Sequence, residues 1–133
     1  LLISAPSITG QEILRTQDVV SIINDKQFIW KGRLDFAINS GGVKIYPEEV
    51  EALCAQKIAE PLVVSSAQDK ALGSIIVLCI ESPDEKSLER IQQVLDTIYF
   101  PRYHRPKKVL RISKIPRLES GKINRMEVEE FLR

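Results

Sequence analysis

With 133 residues, of which 44% are hydrophobic and 28% charged, the chain is long enough for one globular domain, or for a small domain with a piece of another. Nineteen Lys and Arg residues against eighteen Asp and Glu residues leave a net charge of +1, which gives no electrostatic reason to expect nucleic acid or an anionic membrane as a partner. No apolar run approaches the roughly 20 residues that span a bilayer, and the sequence shows no signal-peptide pattern.

The first third of the chain is predicted to be mostly strand. The runs DVVSII and QFIWKG flank Asn24-Asp25-Lys26, whose first two residues favour turns, so we expect a β-hairpin. After the hairpin, Gly41-Gly42 marks a tight or left-handed backbone, and Pro47 followed by glutamates marks the start of a helix. The apolar stripe of that helix recurs at helical spacing: Val50, Leu53, Cys54 and Ile58.

The remainder of the chain alternates between strands and helices. PLVVSSA and SIIVLCIE are β-branched runs of strand length, and the second is apolar enough to be covered on both faces. Ser82-Pro83-Asp84-Glu85 predicts a capping box with proline at the first helical position. The inward face predicted for that helix is Leu88, Ile91, Leu95 and Ile98.

The last elements are a strand, a loop and a short helix. KKVLRIS predicts the strand, and the loop that follows holds Lys122. In NRMEVEEFLR, Asn124 is predicted to cap the helix, with Glu127 three residues further on. The residues predicted to dock this helix are Val128, Phe131 and Leu132.

The order of these elements predicts the fold class. From Phe36 onward it is helix, strand, strand, helix, strand, helix, which predicts a small α+β domain with a short three-stranded sheet and flanking helices. The hairpin that precedes Phe36 is not part of this predicted domain. We place the boundary at Leu34-Asp35, which divides the chain into residues 1–34 and 35–133.

The cysteine and histidine content predicts neither a disulfide framework nor a metal site. Cys54 and Cys79 each lie in an apolar segment, and we interpret them as buried free thiols of a cytosolic protein. The single histidine, His104, has no ligands at metal-binding spacing, and we interpret it as structural. The chain starts at Leu1 with no initiator methionine, so we interpret it as a piece of a longer protein.

The segment IPRLESGKINR presents Lys122 on a turn between a strand and a helix. A Walker phosphate loop is excluded, because Pro116 stands in the place of its first glycine and Ile123 in the place of its Ser or Thr. What remains is a permanently cationic group on a loop. Taken alone, the segment is also typical of a surface lysine in an ordinary turn.

Two further segments carry polar residues at unusual places. GRLDFAINSGGVKIYPEEVE places Arg33 and Asp35 where a strand ends, ahead of the glycine pair. RTQDVV puts Asp18 at the start of a strand, where acidic residues are uncommon. Taken singly, the first is also typical of a turn that needs positive φ, and the second of a turn aspartate.

Together and in this order, RTQDVV, GRLDFAINSGGVKIYPEEVE and IPRLESGKINR resemble successive motifs of the adenylate-forming enzymes, which include acyl- and aryl-CoA synthetases, luciferases and peptide-synthetase adenylation domains. The resemblance covers nearly the whole chain, and the second and third motifs are its most specific parts. Within this family, the overall similarity is greatest to the o-succinylbenzoate–CoA ligase branch of menaquinone synthesis. The resemblance implies a mobile C-terminal domain preceded by the last strands of a large N-terminal domain.

The resemblance also implies roles for four residues. Lys122 matches the catalytic lysine, which stabilises the charge that develops when a carboxylate attacks the α-phosphate of ATP. Asp18 and Arg33 match the pair that holds the ATP ribose hydroxyls. Asp35 matches the hinge about which the small domain rotates before thioester formation with coenzyme A.

The glycine pair matches the loop that lines the pantetheine tunnel. By the resemblance, Gly41, Gly42 and Lys44 belong to that coenzyme A site. Two positions depart from the family pattern. Gln17 stands where glycine is usual, which bears on the turn before Asp18, and Val43-Lys44 replaces a Gly-Glu-Asn type continuation, which bears on the contacts of the glycine loop.

The chain lacks several parts that the family needs for catalysis. It has no Ser/Thr/Gly-rich phosphate loop, no pocket for the acid and no evident magnesium site, which in the family belong to the N-terminal domain. We therefore expect ATP, CoA and a small carboxylic acid as substrates of the longer protein, with Mg²⁺ bound outside this chain. The alternatives are an adenylating enzyme that acylates a carrier-protein thiol, or an interaction module without catalysis. The basic run of Arg102, Arg105, Lys107 and Lys108 fits either coenzyme A phosphates or a solvated loop end.

Overall fold

The computed structural model describes residues 1–82, 84 and 86–132. Its first 33 residues form two small two-stranded sheets. In the first, β1 (Leu2–Ile3) pairs with β2 (Leu14–Arg15) around the short helix α1 (Pro6–Thr9). In the second, β3 (Asp18–Asn24) and β4 (Gln27–Arg33) form the predicted antiparallel hairpin. A single turn of 3-10 helix, Leu34–Phe36, follows it.

The described residues from Ile38 to Leu132 form a five-stranded sheet with three helices. Its strands are β5 (Ile38–Ser40), β6 (Val43–Ile45), β7 (Leu62–Asp69), β8 (Gly73–Glu81) and β9 (Lys108–Ile112). Its helices are α2 (Pro47–Ala55), α3 (Lys86–Asp96) and α4 (Arg125–Phe131). β8 pairs with β7 along one edge, and with β5 and then β9 along the other, the β8–β9 pairing being parallel.

The α+β class is confirmed, but the prediction of three strands is wrong. The two additional strands, β5 and β6, are three residues each and meet at Gly41-Gly42. Each is too short to give a readable period-2 pattern, so the sequence revealed only their turn.

β8 lies at the centre of the core and is covered on both faces, as its continuous apolar run predicts. All six residues from Ile75 to Ile80 are buried. Ile76, Leu78 and Ile80 pack into the larger cluster, which includes residues of α2 and α3, whereas Val77 and Cys79 face the smaller cluster with Val128 of α4. The two faces of one strand thus hold helices on opposite sides of the sheet.

The predicted helix faces are confirmed in part, because Leu53 and Leu88 are only half-buried and belong to neither core cluster, and Ile58 lies beyond the end of α2 at Ala55. Val50, Cys54 and Ile58 are buried on the α2 side, and Ile91 and Leu95 on the α3 side. In α4, Asn124 caps the helix by accepting from the Glu127 backbone N–H, and Val128 is buried. Phe131 is 68% exposed, so its predicted docking is wrong: it is the last residue of α4, and the next residue, Leu132, packs against the smaller cluster in its place.

Only part of the capping box before α3 can be described, because Pro83 and Glu85 lie outside the described residues. The Asp84 carboxylate Oδ1 accepts from the Lys86 backbone N–H at 2.9 Å. The Ser82 hydroxyl accepts from the Asp84 N–H at 3.2 Å. None of the helices among the described residues is long and apolar enough to cross a membrane.

Candidate active site

Lys122 follows a tight turn whose backbone is closed by hydrogen bonds. The Leu118 carbonyl accepts from the Gly121 N–H at 2.8 Å, and the Leu118 N–H donates to the Lys122 carbonyl at 2.8 Å. Gly121 has φ of 82°, a conformation that glycine adopts without steric cost. The Arg117 guanidinium also donates to the Gly121 carbonyl, at 2.9 Å. These contacts fix the backbone that carries Lys122 while its side chain stays exposed.

The Lys122 ammonium makes no hydrogen bond or ion pair with any residue that the structure describes. It lines a groove of about 590 Å³ that is also lined by Trp30, Arg33 and Asp35. The structure therefore brings three of the predicted site residues, Arg33, Asp35 and Lys122, to one place. Asp18 lines a neighbouring cavity and is linked to the groove through Trp30, whose indole N–H donates to Asp18 Oδ1 at 3.1 Å.

Two carboxylates, Asp35 at the groove and Asp18 in the neighbouring cavity, are held ionised by hydrogen-bond donors. The Trp30 indole lowers the pKa of Asp18 most, followed by the Thr16 hydroxyl. The Arg33 guanidinium lowers the pKa of Asp35, to which it donates twice, from Nε at 3.0 Å and from Nη2 at 2.7 Å. Asp18 and Arg33 lie opposite each other in the β3–β4 register, but the Arg33 fork is directed at Asp35. Both carboxylates are hydrogen-bond acceptors at neutral pH, which suits them to bind hydroxyl or ammonium groups.

A partly buried ion cluster lies beside the Lys122 loop. Arg125, the first residue of α4, donates to both carboxylate oxygens of Glu51 on α2 at 2.8 Å, and to the Val64 carbonyl at 3.3 Å. Its guanidinium also lies 3.4 Å from Glu48 Oε1 and 5.9 Å from the centre of the Phe36 ring. The Arg125 side chain is only 12% exposed. The cluster therefore joins the end of the Lys122 loop to α2 and to the turn that follows Asp35.

Sequence reasoning missed this cluster. Arg125 and Glu51 are 74 residues apart, and no local spacing connects them. One sequence signal for the cluster was available. Glu48 and Glu51 are three residues apart on one helix and share a face, and the repulsion between two neighbouring carboxylates predicts a basic residue beside them. Desolvation raises the pKa of Glu48, and its Oε2 is buried with no hydrogen-bond partner among the described residues.

Gly41, Gly42 and Lys44 lie on the β5–β6 hairpin and do not line the Lys122 groove. Both glycines have positive φ, 58° and 79°, as a two-residue turn requires. At Gly41 the backbone also passes close to another residue, because a Cβ there would lie 3.0 Å from the Tyr103 ring. A Cβ on Gly42 would meet open space.

Part of the basic run is engaged within the protein. The Arg102 guanidinium lies 4.8 Å from the centre of the Tyr103 ring, and Arg105 forms an ion pair with Asp96. His104 Nδ1 lies 3.0 Å from the Arg102 carbonyl, in keeping with a structural role. Among residues 1–82, 84 and 86–132, no group of three or more His, Cys, Asp or Glu side chains is placed to hold a metal ion. The two cysteines, both described, are buried and free.

Comparison with known proteins gives no matching family model but many relatives. The chain is 31% identical to a salicylyl-CoA synthase / salicylate adenylyltransferase of a Streptomyces species, over 98% of this chain and 24% of the relative. It is 34% identical to the mitochondrial acyl-coenzyme A synthetase ACSM1 of Mus musculus, over 80% and 20%, respectively. It is 32% identical to the 2-succinylbenzoate–CoA ligase of Listeria monocytogenes, over 77% and 22%.

The fold matches as well. An AMP-forming acyl-CoA synthetase/AMP-acid ligase II-like protein from Dyadobacter fermentans superposes with a TM-score of 0.66 at 27% identity, over 96% of this chain and 37% of that one. The chain spans about a quarter of the length of the curated relatives it matches. These three relatives and this structural neighbour are AMP-forming acyl- and aryl-CoA ligases of the adenylate-forming superfamily, which is what this chain is similar to.

Proposed function

We propose that this chain is the C-terminal part of an ATP-dependent carboxylic acid–CoA ligase. The longer protein would convert an acid and ATP to an acyl-adenylate and pyrophosphate, and then transfer the acyl group to coenzyme A with release of AMP. The observation that carries the proposal is the Lys122 ammonium, which has no partner among the described residues and lines the same groove as Arg33 and Asp35.

Lys122 is assigned to the first half-reaction. When the carboxylate oxygen attacks the α-phosphorus and pyrophosphate leaves, negative charge increases around the α-phosphate, and a nearby ammonium stabilises that charge. A lysine suits this position because its ammonium is a compact point charge on a flexible stem, able to bridge carboxylate and phosphate oxygens. The rigid Gly121 turn supports the assignment, because it fixes where the stem begins without using up the charge.

Asp18 and Arg33 are assigned to the ribose of ATP. The ionised Asp18 carboxylate accepts hydrogen bonds, whereas Arg33 keeps donors beyond the two it gives to Asp35. Asp35 is assigned as the hinge: it lies in the 3-10 turn between the hairpin and the five-stranded sheet, where a few backbone torsions can absorb a rotation.

The glycine hairpin is assigned to the second half-reaction. Gly41 and Gly42 carry no side chains: the Cβ side of Gly41 faces the Tyr103 ring, whereas that of Gly42 opens to free space over which the narrow pantetheine arm would pass, and Lys44 stands on the adjoining strand. This site does not line the Lys122 groove. If both half-reactions take place at one reaction centre, rotation about Asp35 would be needed to move Lys122 away from that centre and to bring the glycine hairpin to it.

The division into residues 1–34 and 35–133 is part of the proposal. The β3–β4 hairpin exposes large apolar side chains, among them Ile22 at 71% and Phe28 at 51%. Such exposure fits a surface that another domain covers. By the family resemblance, that domain supplies the phosphate loop, the acid pocket and the Mg²⁺ site, and no role given above to a residue of this chain depends on the metal.

The acid is proposed only as a class. The 2-succinylbenzoate–CoA ligase is one relative among several of similar identity, which include a salicylyl-CoA synthase and a 3-hydroxybenzoate–CoA ligase. o-Succinylbenzoate, an intermediate of menaquinone synthesis, is our first candidate on overall resemblance, with hydroxybenzoates next. A carrier-protein thiol in place of coenzyme A is the alternative acceptor, and a non-catalytic module is the alternative from another class.

The test uses the purified full-length protein and a panel of acids: 2-succinylbenzoate, hydroxybenzoates, benzoate and medium-chain fatty acids. Acid-dependent pyrophosphate release is expected with at least one acid, followed by a CoA thioester detected by mass spectrometry. Acylation of a phosphopantetheinylated carrier protein but not of CoA would overturn the acceptor. No release with any acid would overturn the enzyme assignment. Residues 1–133 alone are expected to fold but to stay at background.

A further inference from the structure

A β-bulge in the first hairpin sets which side chains share a face. In the β3–β4 register Asp18 lies opposite Arg33 and Val19 opposite Gly32, but Val20 lies opposite Trp30. Lys31 is therefore an extra residue on β4. Residues that lie opposite each other in an antiparallel pair point to the same side, and so do residues two apart on one strand. Because of the bulge, Trp30 and Arg33 both point to the side of Asp18 although they are three residues apart.

Contacts with α2 hold the bulge in place. The Lys31 ammonium lies 2.6 Å from Glu49 Oε1 in the first turn of α2. Gly32 has φ of 150°, and a Cβ on it would lie 2.3 Å from Glu48 Oε2. Only glycine fits at this position, so the sequence at residues 31 and 32 fixes both the bulge and its packing against α2.

The Trp30 side chain connects Asp18 to the Lys122 groove. Its indole N–H donates to Asp18 Oδ1 at 3.1 Å, and the residue lines the groove with Lys122. A carboxylate has lone pairs on both oxygens, so a donor fixed at Oδ1 orients the group and leaves Oδ2 able to accept from a ligand. Without the indole, the half-buried Asp18 carboxylate would keep only the Thr16 hydroxyl as a side-chain donor and would be held less firmly in one rotamer.

We propose that Trp30 is a positioning residue, which holds the Asp18 carboxylate in the orientation that accepts a ribose hydroxyl of ATP. The inference rests on the proposed function, and in particular on the assignment of Asp18. Trp30 itself does not contact the reacting atoms. The bulge at Lys31 is necessary for this positioning, because without it the Trp30 side chain would point to the other face of the hairpin, away from Asp18.

Discrimination between ATP and its deoxy analogues measures this orientation directly. If a ribose hydroxyl donates to Asp18, the full-length enzyme should use ATP with a kcat/KM about tenfold or more above that of 2′-deoxy-ATP or 3′-deoxy-ATP. A substitution that only loosens the fold lowers kcat/KM for all three nucleotides and leaves their ratio unchanged. A substitution that misorients the carboxylate lowers the ratio.

The experiment compares three variants of the full-length enzyme in acid-dependent pyrophosphate release. Trp30→Phe keeps the aromatic ring but removes the donor, Asp18→Ala removes the acceptor, and Phe28→Leu is the matched control. Phe28 lies two residues away on the same face and is exposed to a similar extent, 51% against 47% for Trp30. The structure gives it no polar contact.

Trp30→Phe is expected to raise the KM for ATP by about 5- to 10-fold with little change in kcat, and to reduce the discrimination ratio toward that of Asp18→Ala. Phe28→Leu should leave the discrimination ratio unchanged, because any effect on the surface that another domain covers alters kcat/KM for all three nucleotides alike. An unchanged ratio in Trp30→Phe, beside a lowered one in Asp18→Ala, would overturn the positioning role while leaving the proposed function intact. If the wild type does not discriminate between ATP and the deoxy analogues, or if Asp18→Ala keeps the full discrimination ratio, the assignment of Asp18 to the ribose is wrong. The positioning role of Trp30, which depends on that assignment, is then wrong as well.

Discussion

Replacing Lys122 by alanine in the full-length protein separates a catalytic lysine from a structural one. The ammonium is exposed and has no partner among the described residues, and the turn that carries it is held by backbone contacts and by Arg117. Its removal breaks none of these. The expected change in the free energy of unfolding is therefore within about 0.5 kcal/mol, the usual range for an exposed side chain.

The expected effect on catalysis is much larger. Removing a group directed at charge that develops in the transition state costs about 10²–10³ in rate, or about 2.7–4 kcal/mol. This loss should appear in adenylate formation. Thioester formation from supplied acyl-adenylate should largely survive, because Gly41, Gly42 and Lys44 lie outside the groove that contains Lys122.

The assay measures the two half-reactions separately, with acid-dependent pyrophosphate release for the first and CoA thioester formation from synthetic acyl-adenylate for the second. Lys114→Ala is the matched control, since Lys114 is an exposed lysine of the same connection that does not line the groove. It should leave both half-reactions and the melting temperature unchanged. Equal loss of both half-reactions in Lys122→Ala, or loss of neither, would refute the role given to Lys122.

Three further predictions follow from the hinge, the ion cluster and the cysteines. In the full-length protein, Asp35→Pro should impair one half-reaction far more than the other, because it fixes φ near −65° and removes a backbone donor. The control Asp35→Asn should affect the two half-reactions equally. Equal loss of both half-reaction rates in the proline variant would exclude a hinge at Asp35. Glu51→Gln should lower the free energy of unfolding in a urea titration by about 3 kcal/mol, because it breaks the pair with the largely buried Arg125, and a change below about 1 kcal/mol would contradict the cluster's structural role. Burial raises the pKa of the Cys54 thiol to about 12 and that of Cys79 to about 11. Both thiols therefore stay protonated at pH 8 and should resist a thiol reagent until the protein is unfolded in urea. Rapid labelling of the native protein would contradict their burial.

Most regular elements could be predicted because their signals are local. The hairpin is marked by Asn24 and its flanking β-branched runs, α2 by Pro47 and its glutamates, and α4 by the cap at Asn124. The continuous apolar run of β8 also predicted burial on both faces. β5 and β6 could not be recognised, because three residues on either side of Gly41-Gly42 carry too little periodicity.

The site could be predicted only in part. The roles of Asp18, Arg33 and Lys122 came from resemblance to a family, since nothing local indicates that residues so far apart share a groove. The bulge at Lys31 was invisible for a different reason: the register of two strands is a property of their pairing, and the sequence of either strand is compatible with more than one register. Trp30 consequently looked like one more aromatic residue of a strand.

The anchoring of the Lys122 loop has a consequence for the kind of motion that can remove the lysine from the groove. At its start, the Ile115 N–H donates to Glu81 Oε2 of β8 at 2.7 Å, and at its end Arg125 is bound to Glu51 of α2. Both ends are thus tied to carboxylates of the central strand and the helix above it. These anchors favour movement of the loop together with the sheet, so on the proposed hinge we expect Lys122 to leave the groove in a collective motion of microseconds to milliseconds and not in a faster opening of the loop alone. Spin labels on this loop and on α2 should accordingly keep a constant separation through every step of turnover.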